Sequence, residues 1–347
     1  MHVSDFDFEL PPELIAQEPP AVRGTSRLLV LDRRTGGVAH RRMADLPELL
    51  RPGDLLVVND TKVFPARLLG HRTPSGGRVE CLLVARIGPD QWEALMHPGQ
   101  KLKPGAVVRF DGTPALLAEV LERRFHGRRL IRLWTEDGSD VDAAIDATGH
   151  VPLPPYIHRP DASSDRLRYQ TVYAATRGSV AAPTAGLHFT RELLGALEAR
   201  GVERTAITLH VGYGTFKPVR VEEVEAHRVD AERYEVSVAA AAAVNRALDE
   251  GRRVIAVGTT TTRTLEAVAA AHGGRLTPGP GETDLFIHPG FRFQVLGGLL
   301  TNFHLPRSSL LMLVSAFAGR EHVLAAYRQA IDLKYRFYSY GDAMLSY

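Results

Sequence analysis

The hydrophobic rhythm of the chain changes twice. Up to about residue 62 the apolar runs are few. Residues 28–32 end at the turn Arg33-Arg34-Thr35-Gly36-Gly37, residues 43–50 read as a short helix limited by Pro47, and Leu55-Leu56-Val57-Val58 is a continuous apolar stretch. A run without alternation fits a strand buried on both faces. From residue 63 to 150, short runs rich in Val, Leu and Ile recur at 64–69, 79–85, 91–96, 107–110, 115–121 and 130–134. Turn clusters separate them, among them Pro74-Ser75-Gly76-Gly77, Gly88-Pro89-Asp90, Pro104-Gly105 and Asp111-Gly112. Short strands at even spacing predict a barrel or sandwich.

The link Val151-Pro152-Leu153-Pro154-Pro155-Tyr156-Ile157 is too proline-dense for regular structure. Beyond it, helix and strand signals alternate. A helix over 191–200 is closed by Gly201, and a strand covers 205–211. A helix capped by Ser237 runs to 248. A buried strand covers 253–257, and a helix over 263–271 is closed by Gly273-Gly274. The expected fold is α/β: a large mixed-sheet α/β domain with an inserted small β-barrel domain. Residues 1–62 and 151–347 make the discontinuous α/β domain, and 63–150 the barrel.

Near the C-terminus, Leu310-Leu311-Met312-Leu313-Val314-Ser315-Ala316-Phe317-Ala318-Gly319 is apolar but shorter than the ~20 residues that span a bilayer. It reads as a core element. The polar cluster Thr301-Asn302-Phe303-His304-Leu305-Pro306-Arg307-Ser308-Ser309 stands at its entrance, with Pro306 and Ser308 placed for a helix cap.

Composition narrows the picture modestly. The 347 residues suffice for one large domain or two ordinary ones. Lys and Arg total 42 against 40 Asp and Glu, so any nucleic acid must be met by a local patch rather than a global field. Cys81 is the single cysteine, which excludes an intramolecular disulfide and a cysteine-based zinc site and suits a reducing cytosol. The acidic start Met1-His2-Val3-Ser4-Asp5 lacks a signal pattern. A cytoplasmic protein with no membrane span is expected.

Several turns carry candidate chemistry. The strand ending at Val257 runs into Gly258-Thr259-Thr260-Thr261-Thr262-Arg263 and a helix, a place where free N–H groups bind an anion. Without a lysine it is not a P-loop, and its glycine spacing excludes a dinucleotide fingerprint. Pro183-Thr184-Ala185-Gly186-Leu187-His188-Phe189-Thr190 sets a histidine before a helix capped by Thr190. Thr208-Leu209-His210-Val211-Gly212-Tyr213-Gly214-Thr215-Phe216 sets another in a strand before a Gly-x-Gly turn. Asn59-Asp60-Thr61-Lys62 ends a buried strand, where α/β sheets bind ligands. Each of these alone also fits a cap or turn. His188, His210, His227, His288 and His304 are too scattered for a metal site, and none is expected. Arg123-Arg124-Phe125-His126-Gly127-Arg128-Arg129 is a basic hairpin tip suited to a phosphate backbone.

Taken in order, these motifs resemble one family. The matching segments include Asp5-Phe6-Asp7-Phe8-Glu9-Leu10-Pro11, Val58-Asn59-Asp60-Thr61-Lys62-Val63 with Pro65-Ala66-Arg67-Leu68, and Gly149-His150 with the proline link. Tyr169-Gln170-Thr171-Val172-Tyr173, the His188, His210, Thr259 and His304 motifs, and Lys334-Tyr335-Arg336-Phe337-Tyr338-Ser339-Tyr340-Gly341-Asp342 complete them. The chain is similar throughout to the S-adenosylmethionine:tRNA ribosyltransferase-isomerases of queuosine biosynthesis. It departs from their pattern at Asp60, Lys62, Thr261-Thr262, Tyr213 and Lys217.

The resemblance implies a large α/β domain with an inserted β-barrel, in agreement with the texture change. It implies transfer and isomerisation of the ribosyl group of S-adenosylmethionine onto 7-aminomethyl-7-deazaguanine at the tRNA wobble position, with loss of adenine and methionine. S-adenosylmethionine is then a consumed co-substrate, with no cofactor, and the protein is expected as a monomer. Such chemistry asks for proton transfers, for which His188, His210 and His304 are the candidates. Tyr213 and Phe216 offer faces for the sulfonium, and Thr259 and Thr260 with Arg263 a seat for the methionine carboxylate. Tyr335 and Arg336, with Phe337 and Tyr338, offer stacking planes for a splayed base, and Arg67 a phosphate contact. Asn59, Thr184, Thr215 and Asn302 complete the expected substrate-binding set. A non-catalytic tRNA-binding protein and an ordinary methyltransferase are the rival readings. The second should show an acidic strand end before a glycine-rich loop near its N-terminus, and no such pattern is present.

Overall fold

A computed structural model describes residues 1–216 and 218–347; Lys217 and the side chains of His126, Thr215 and Phe216 lie outside the described set. Nine strands form one mixed sheet. Its centre is parallel: Glu203–Leu209, Leu55–Asn59, Val254–Val257 and Leu296–Asn302 lie side by side in that order. Both flanks carry antiparallel strands. Ala343–Ser346 pairs antiparallel with Leu296–Asn302 and parallel with Arg27–Leu31. The α/β fold with an inserted barrel, expected from the change of texture, is the fold observed.

The uninterrupted apolar runs have a direct cause. Along Leu55–Asn59, Leu55 and Val57 pack on one face with Val254, Ala256 and Leu299, under the helices Val238–Asp249, Thr259–Ala271 and Ser309–Ala318. Leu56 and Val58 pack on the other face with Ile255, Val257 and Leu300, under the helix Arg191–Ala199. A sheet covered on both sides needs no polar face.

The barrel closes from Arg67–Thr73, Arg78–Arg86, Gln91–His97, Val107–Phe110, Leu116–Arg123 and Arg128–Thr135. Its alternate residues fill its own core, with Cys81, Leu83, Val108 and Ile131 fully buried. The helix Val141–Thr148, which the sequence reading did not anticipate, adds Ala144 and Ile145 to that core.

Two expected helices shift for local reasons. The helix expected from Arg263 begins at Thr259, because the hydroxyls of Thr261, Thr262 and Thr264 each bond the carbonyl four residues back and are buried with the core. The apolar C-terminal helix begins at Ser309, capped by the Ser308 hydroxyl, which leaves Pro306 outside it. No single helix among the described residues is long and apolar enough to cross a membrane. Ser309–Ala318 and Arg320–Asp332 reach that composition only as a pair bent by 114°.

Candidate functional site

All four central parallel strands end on the same side, and the ends of three of them border one cleft, with about 540 Å³ of empty space counting its open mouth. This edge is where open α/β sheets collect ligands. Val211 follows the first strand, Gly258 the third, and Thr301 and Asn302 end the fourth. The turn Ala181–Ala185 forms one wall, and Tyr156, Tyr169 and Tyr338 form another.

The helix Thr259–Ala271 points its N-terminus into this cleft. Gly258, at φ +92°, makes the sharp entry and stands against Ala185. Its first amides have no partner within the helix, so a partial positive charge faces the cavity. Thr259 and Thr260 line the wall beside them. Asn59 lies beneath, completely buried. Its side-chain oxygen accepts from the Thr61 and Leu209 amides at 3.1 and 3.0 Å, and its Nδ2 reaches Thr260 Oγ1 at 3.4 Å. Asn59 therefore braces the cleft floor and has no capacity left for a ligand.

His188 and Asn302 form a connected chain. Asn302 Nδ2 donates to His188 Nε2 at 3.1 Å and to the Tyr338 carbonyl at 3.1 Å. With Nε2 accepting, the proton sits on Nδ1, which donates to Ser26 Oγ at 2.9 Å. Asn302 Oδ1 in turn accepts from the Thr184 hydroxyl at 3.0 Å. Thr184 and Asn302 face the cleft, whereas His188 lies behind them and borders a separate small cavity with Ser26 and Arg23. Burial lowers the His188 pKa from 6.5 to about 4. It is thus a neutral link, and proton traffic in the cleft would have to pass through another group.

His304 does line the cleft. Its Nε2 bonds Thr301 Oγ1 at 3.1 Å, its amide donates to the Tyr327 hydroxyl at 3.1 Å, and burial lowers its pKa to about 3. His210 stands one residue from Val211 but faces a different opening. Its Nδ1 meets Thr61 Oγ1 at 2.9 Å, and its ring covers Gly178, where a Cβ would lie 2.6 Å from Cε1. Burial lowers its pKa as well.

Other expected residues are engaged elsewhere. Arg263 does not reach the cleft: its guanidinium pairs with buried Glu232 at 2.6 Å and donates to the Leu285 carbonyl at 2.9 Å. Glu232 also accepts the Gly212 amide at 2.9 Å, so the pair fixes the Gly-x-Gly turn. Tyr335 is 2 % exposed, its hydroxyl on His40 and its ring under the Arg27 guanidinium at 4.1 Å, which rules it out as a base platform here. Phe337 is fully buried. Arg336 is half-buried, with its amide on Asp342 at 2.8 Å. Arg67 pairs with Glu80 at 2.7 Å and, with Tyr213, lines a broad groove of about 1300 Å³ against the proline link. The roles expected of Thr215 and Phe216 fall on side chains outside the described set. The basic tip is neutralised from within. Arg128 pairs with Glu93 at 2.6 Å and Asp230 at 2.9 Å, Arg124 pairs with Glu93 and Glu122, and Arg129 is buried on carbonyls of Gly99 and Leu102.

Of the tyrosine wall, Tyr338 is expected from the sequence as a stacking plane for a base, whereas Tyr156 and Tyr169 carry no expected role. Tyr156 and Tyr338 meet edge to face with centroids 3.9 Å apart, and the Tyr156 hydroxyl bonds Ser339. Tyr338 holds φ +72°, an uncommon conformation for a large side chain. Tyr169 is 1 % exposed. The Ala182 amide approaches its oxygen without hydrogen-bond geometry, and its own proton has no acceptor. The only available signal was the density of tyrosines in segments 156–173 and 335–340. Every cleft-lining residue among the described ones is uncharged, His304 being neutral. No group of three or more His, Cys, Asp or Glu among the described residues is placed to hold a metal ion.

Fold and cleft together define a doubly covered α/β protein with a cleft at its strand ends and an inserted barrel. The chain belongs to the queuosine biosynthesis protein family, whose model matches residues 3–346. It is 54% identical to an S-adenosylmethionine:tRNA ribosyltransferase-isomerase from Heliobacterium modesticaldum over 99% of both chains. It is 53% identical to another of that name from Anaeromyxobacter dehalogenans, again over 99% of both. A crystal structure of S-adenosylmethionine tRNA ribosyltransferase from Thermotoga maritima matches with a TM-score of 0.57 and 39% identity, covering 99% of this chain and 100% of that one.

Proposed function

We propose that this protein transfers the ribosyl group of S-adenosylmethionine to tRNA carrying 7-aminomethyl-7-deazaguanine at the wobble position and isomerises it to an epoxycyclopentane, giving epoxyqueuosine. The observation that carries the reading is the cleft at the strand ends, with a helix N-terminus at one wall and tyrosine rings at the other. S-adenosylmethionine has a carboxylate at one end and a sulfonium in its middle. The carboxylate suits the free amides at Thr259 and Thr260, and the sulfonium suits ring faces at Tyr156 and Tyr338.

In this reading Thr184 and Asn302 hold the substrate's polar groups, and His188 with Ser26 fixes the Asn302 amide. His304 is the imidazole nearest the reacting atoms. With its pKa lowered to about 3 it is too weak a base to take the acidic hydrogen beside the sulfonium, and it serves as a neutral hydrogen-bonding group that orients the substrate. The co-substrate is consumed, so no resident cofactor is needed. A protein that meets tRNA and S-adenosylmethionine works in the cytoplasm.

The test is to incubate the protein with S-adenosylmethionine and the acceptor tRNA. Release of adenine and methionine in equal amounts, with none from unmodified-guanine tRNA, supports the reading. Formation of S-adenosylhomocysteine would make it a methyltransferase, and RNA binding without any product would leave a binding module.

A further inference from the structure

The turn His210-Val211-Gly212-Tyr213 passes three openings in four residues. Val211 lines the cleft, Tyr213 the broad groove along the proline link, and His210 an opening of about 970 Å³ between barrel and sheet. An extended chain advances at most about 3.6 Å per residue, so His210 and Tyr213 lie within about 11 Å of each other. The cleft thus has a neighbour on either side. The outer face of barrel strand Arg78–Arg86 joins the same two neighbours: Glu80 and Leu82 border the groove, Val84 and Arg86 the barrel–sheet opening.

The barrel–sheet opening has an unusual floor. The Arg86 guanidinium lies 5.5 Å above the Trp92 ring, and that of Arg177 lies 4.8 Å above Phe64. Guanidinium groups placed over aromatic rings offer stacking surfaces for a nucleobase. One buried donor there, Trp92 Nε1, has no hydrogen-bond partner, and Arg177 Nη2 has only the Asp142 carboxylate at 3.9 Å. Trp92 is 5 % exposed, so its indole N–H is held out of water with nothing to bond. Asp142 and Glu235 also line the opening, and Asp142 pairs with Arg86 at 2.8 Å. Arg233 lines it too, so three arginines face two carboxylates, and the opening suits a flat ligand with acceptor atoms on its edge.

We propose that this opening seats the base of the unpaired nucleotide directly adjoining the one modified in the cleft. The proposal rests on the tRNA reading above and adds a subsite to it. The adjoining base stacks on the Arg86 and Arg177 guanidinium groups and accepts from the Trp92 indole N–H. Binding here turns the backbone so that the neighbouring base enters the cleft.

Anticodon stem-loop RNAs carrying a single 4-thiouridine, either just 5′ or just 3′ of the wobble position, test this on the unaltered protein. Irradiation should cross-link one of the two to peptides containing Trp92 or Tyr234. Trp92→Phe keeps the ring and removes the donor. It should weaken stem-loop binding about two- to ten-fold, the range for one hydrogen bond, with S-adenosylmethionine affinity unchanged. Bound RNA that cross-links only elsewhere from both positions, or full affinity in Trp92→Phe, overturns the subsite and leaves the function standing. A wild-type protein that binds no stem-loop overturns both.

Discussion

His188 and His304 make the protein's stability depend on pH in a way that can be dissected one residue at a time. Burial lowers their pKa values from 6.5 to about 4 and about 3. Both are therefore neutral in the folded state at pH 5, whereas in the unfolded chain both bind protons below 6.5. A depressed folded pKa means that the stabilising contribution is complete above pH 6.5 and is lost as pH falls toward 4 and 3. At pH 5 the gap from 6.5 is 1.5 units for each, and each unit is worth about 1.4 kcal/mol. Each histidine should then cost about 2 kcal/mol, and the two together about 4 kcal/mol. That is a large share of the 5–15 kcal/mol typical of a folded domain.

The assay is equilibrium urea unfolding at pH 7.5 and pH 5.0 for the wild type, His304→Gln and His188→Gln. Glutamine cannot titrate, and its amide stands near the position of Nε2. Each variant should lose about 2 kcal/mol less than the wild type between the two pH values, whatever its stability at pH 7.5. The remaining histidines are common to all three proteins and cancel in the difference. An identical pH dependence in wild type and variants would refute the reasoning, since it would mean that these imidazoles take up protons in the folded state.

Three further outcomes follow from the geometry. Glu266 is completely buried and accepts the amides of Gln294, Val295 and Leu296 at 2.8–3.0 Å; Glu266→Ala strands three donors at about 1–3 kcal/mol each and should lower unfolding free energy by at least about 3 kcal/mol, while a loss below about 1 kcal/mol would show that other acceptors serve them. Arg128→Ala removes partly exposed pairs to Glu93 and Asp230 and should cost about 1 kcal/mol, with tRNA affinity kept within about two-fold; a filter-binding loss of about ten-fold would restore the basic tip as an RNA grip. Tyr169→Phe removes a buried hydroxyl whose proton has no acceptor, so it should leave or raise the urea midpoint while weakening S-adenosylmethionine binding about five-fold by calorimetry; unchanged affinity would mean that the hydroxyl faces no ligand.

The barrel was legible because its strands are half-buried. In Arg78–Arg86 the residues alternate between a filled core and an outer face, and turn clusters bound each strand. The strand Leu296–Asn302 hid itself. It carries Gly297 and Gly298, which weaken any strand signal, yet a Cβ on Gly298 would lie 2.6 Å from Ile255 Cδ1. Close packing against the neighbouring strand thus demands the residue that disguises it. Among the residues that motifs singled out, Thr184, Thr259, Asn302 and His304 line one cavity. Motifs could not show that His188 is closed off by Ser26, 162 positions away, or that Arg263 is taken by Glu232, 31 positions upstream. A charge near a helix start reads the same whether it awaits a ligand or already holds a partner.

The absence of charged side chains among the cleft's described lining residues has a chemical logic under the proposed function. A carboxylate beside the sulfonium would bind the ground state tightly, yet the positive sulfur is what makes the neighbouring hydrogen acidic and methionine a good leaving group. Interactions that favour the ground state as much as the transition state raise affinity without raising the rate. Ring faces at Tyr156 and Tyr338 hold the cation more weakly and leave its electron demand intact. Affinity then has to come from the far end of the substrate, where the helix N-terminus at Thr259 meets a carboxylate that takes no part in the reaction. The neutral state of His304 belongs to the same design. Burial keeps this imidazole neutral throughout the physiological range, so it places no second positive charge beside the sulfonium.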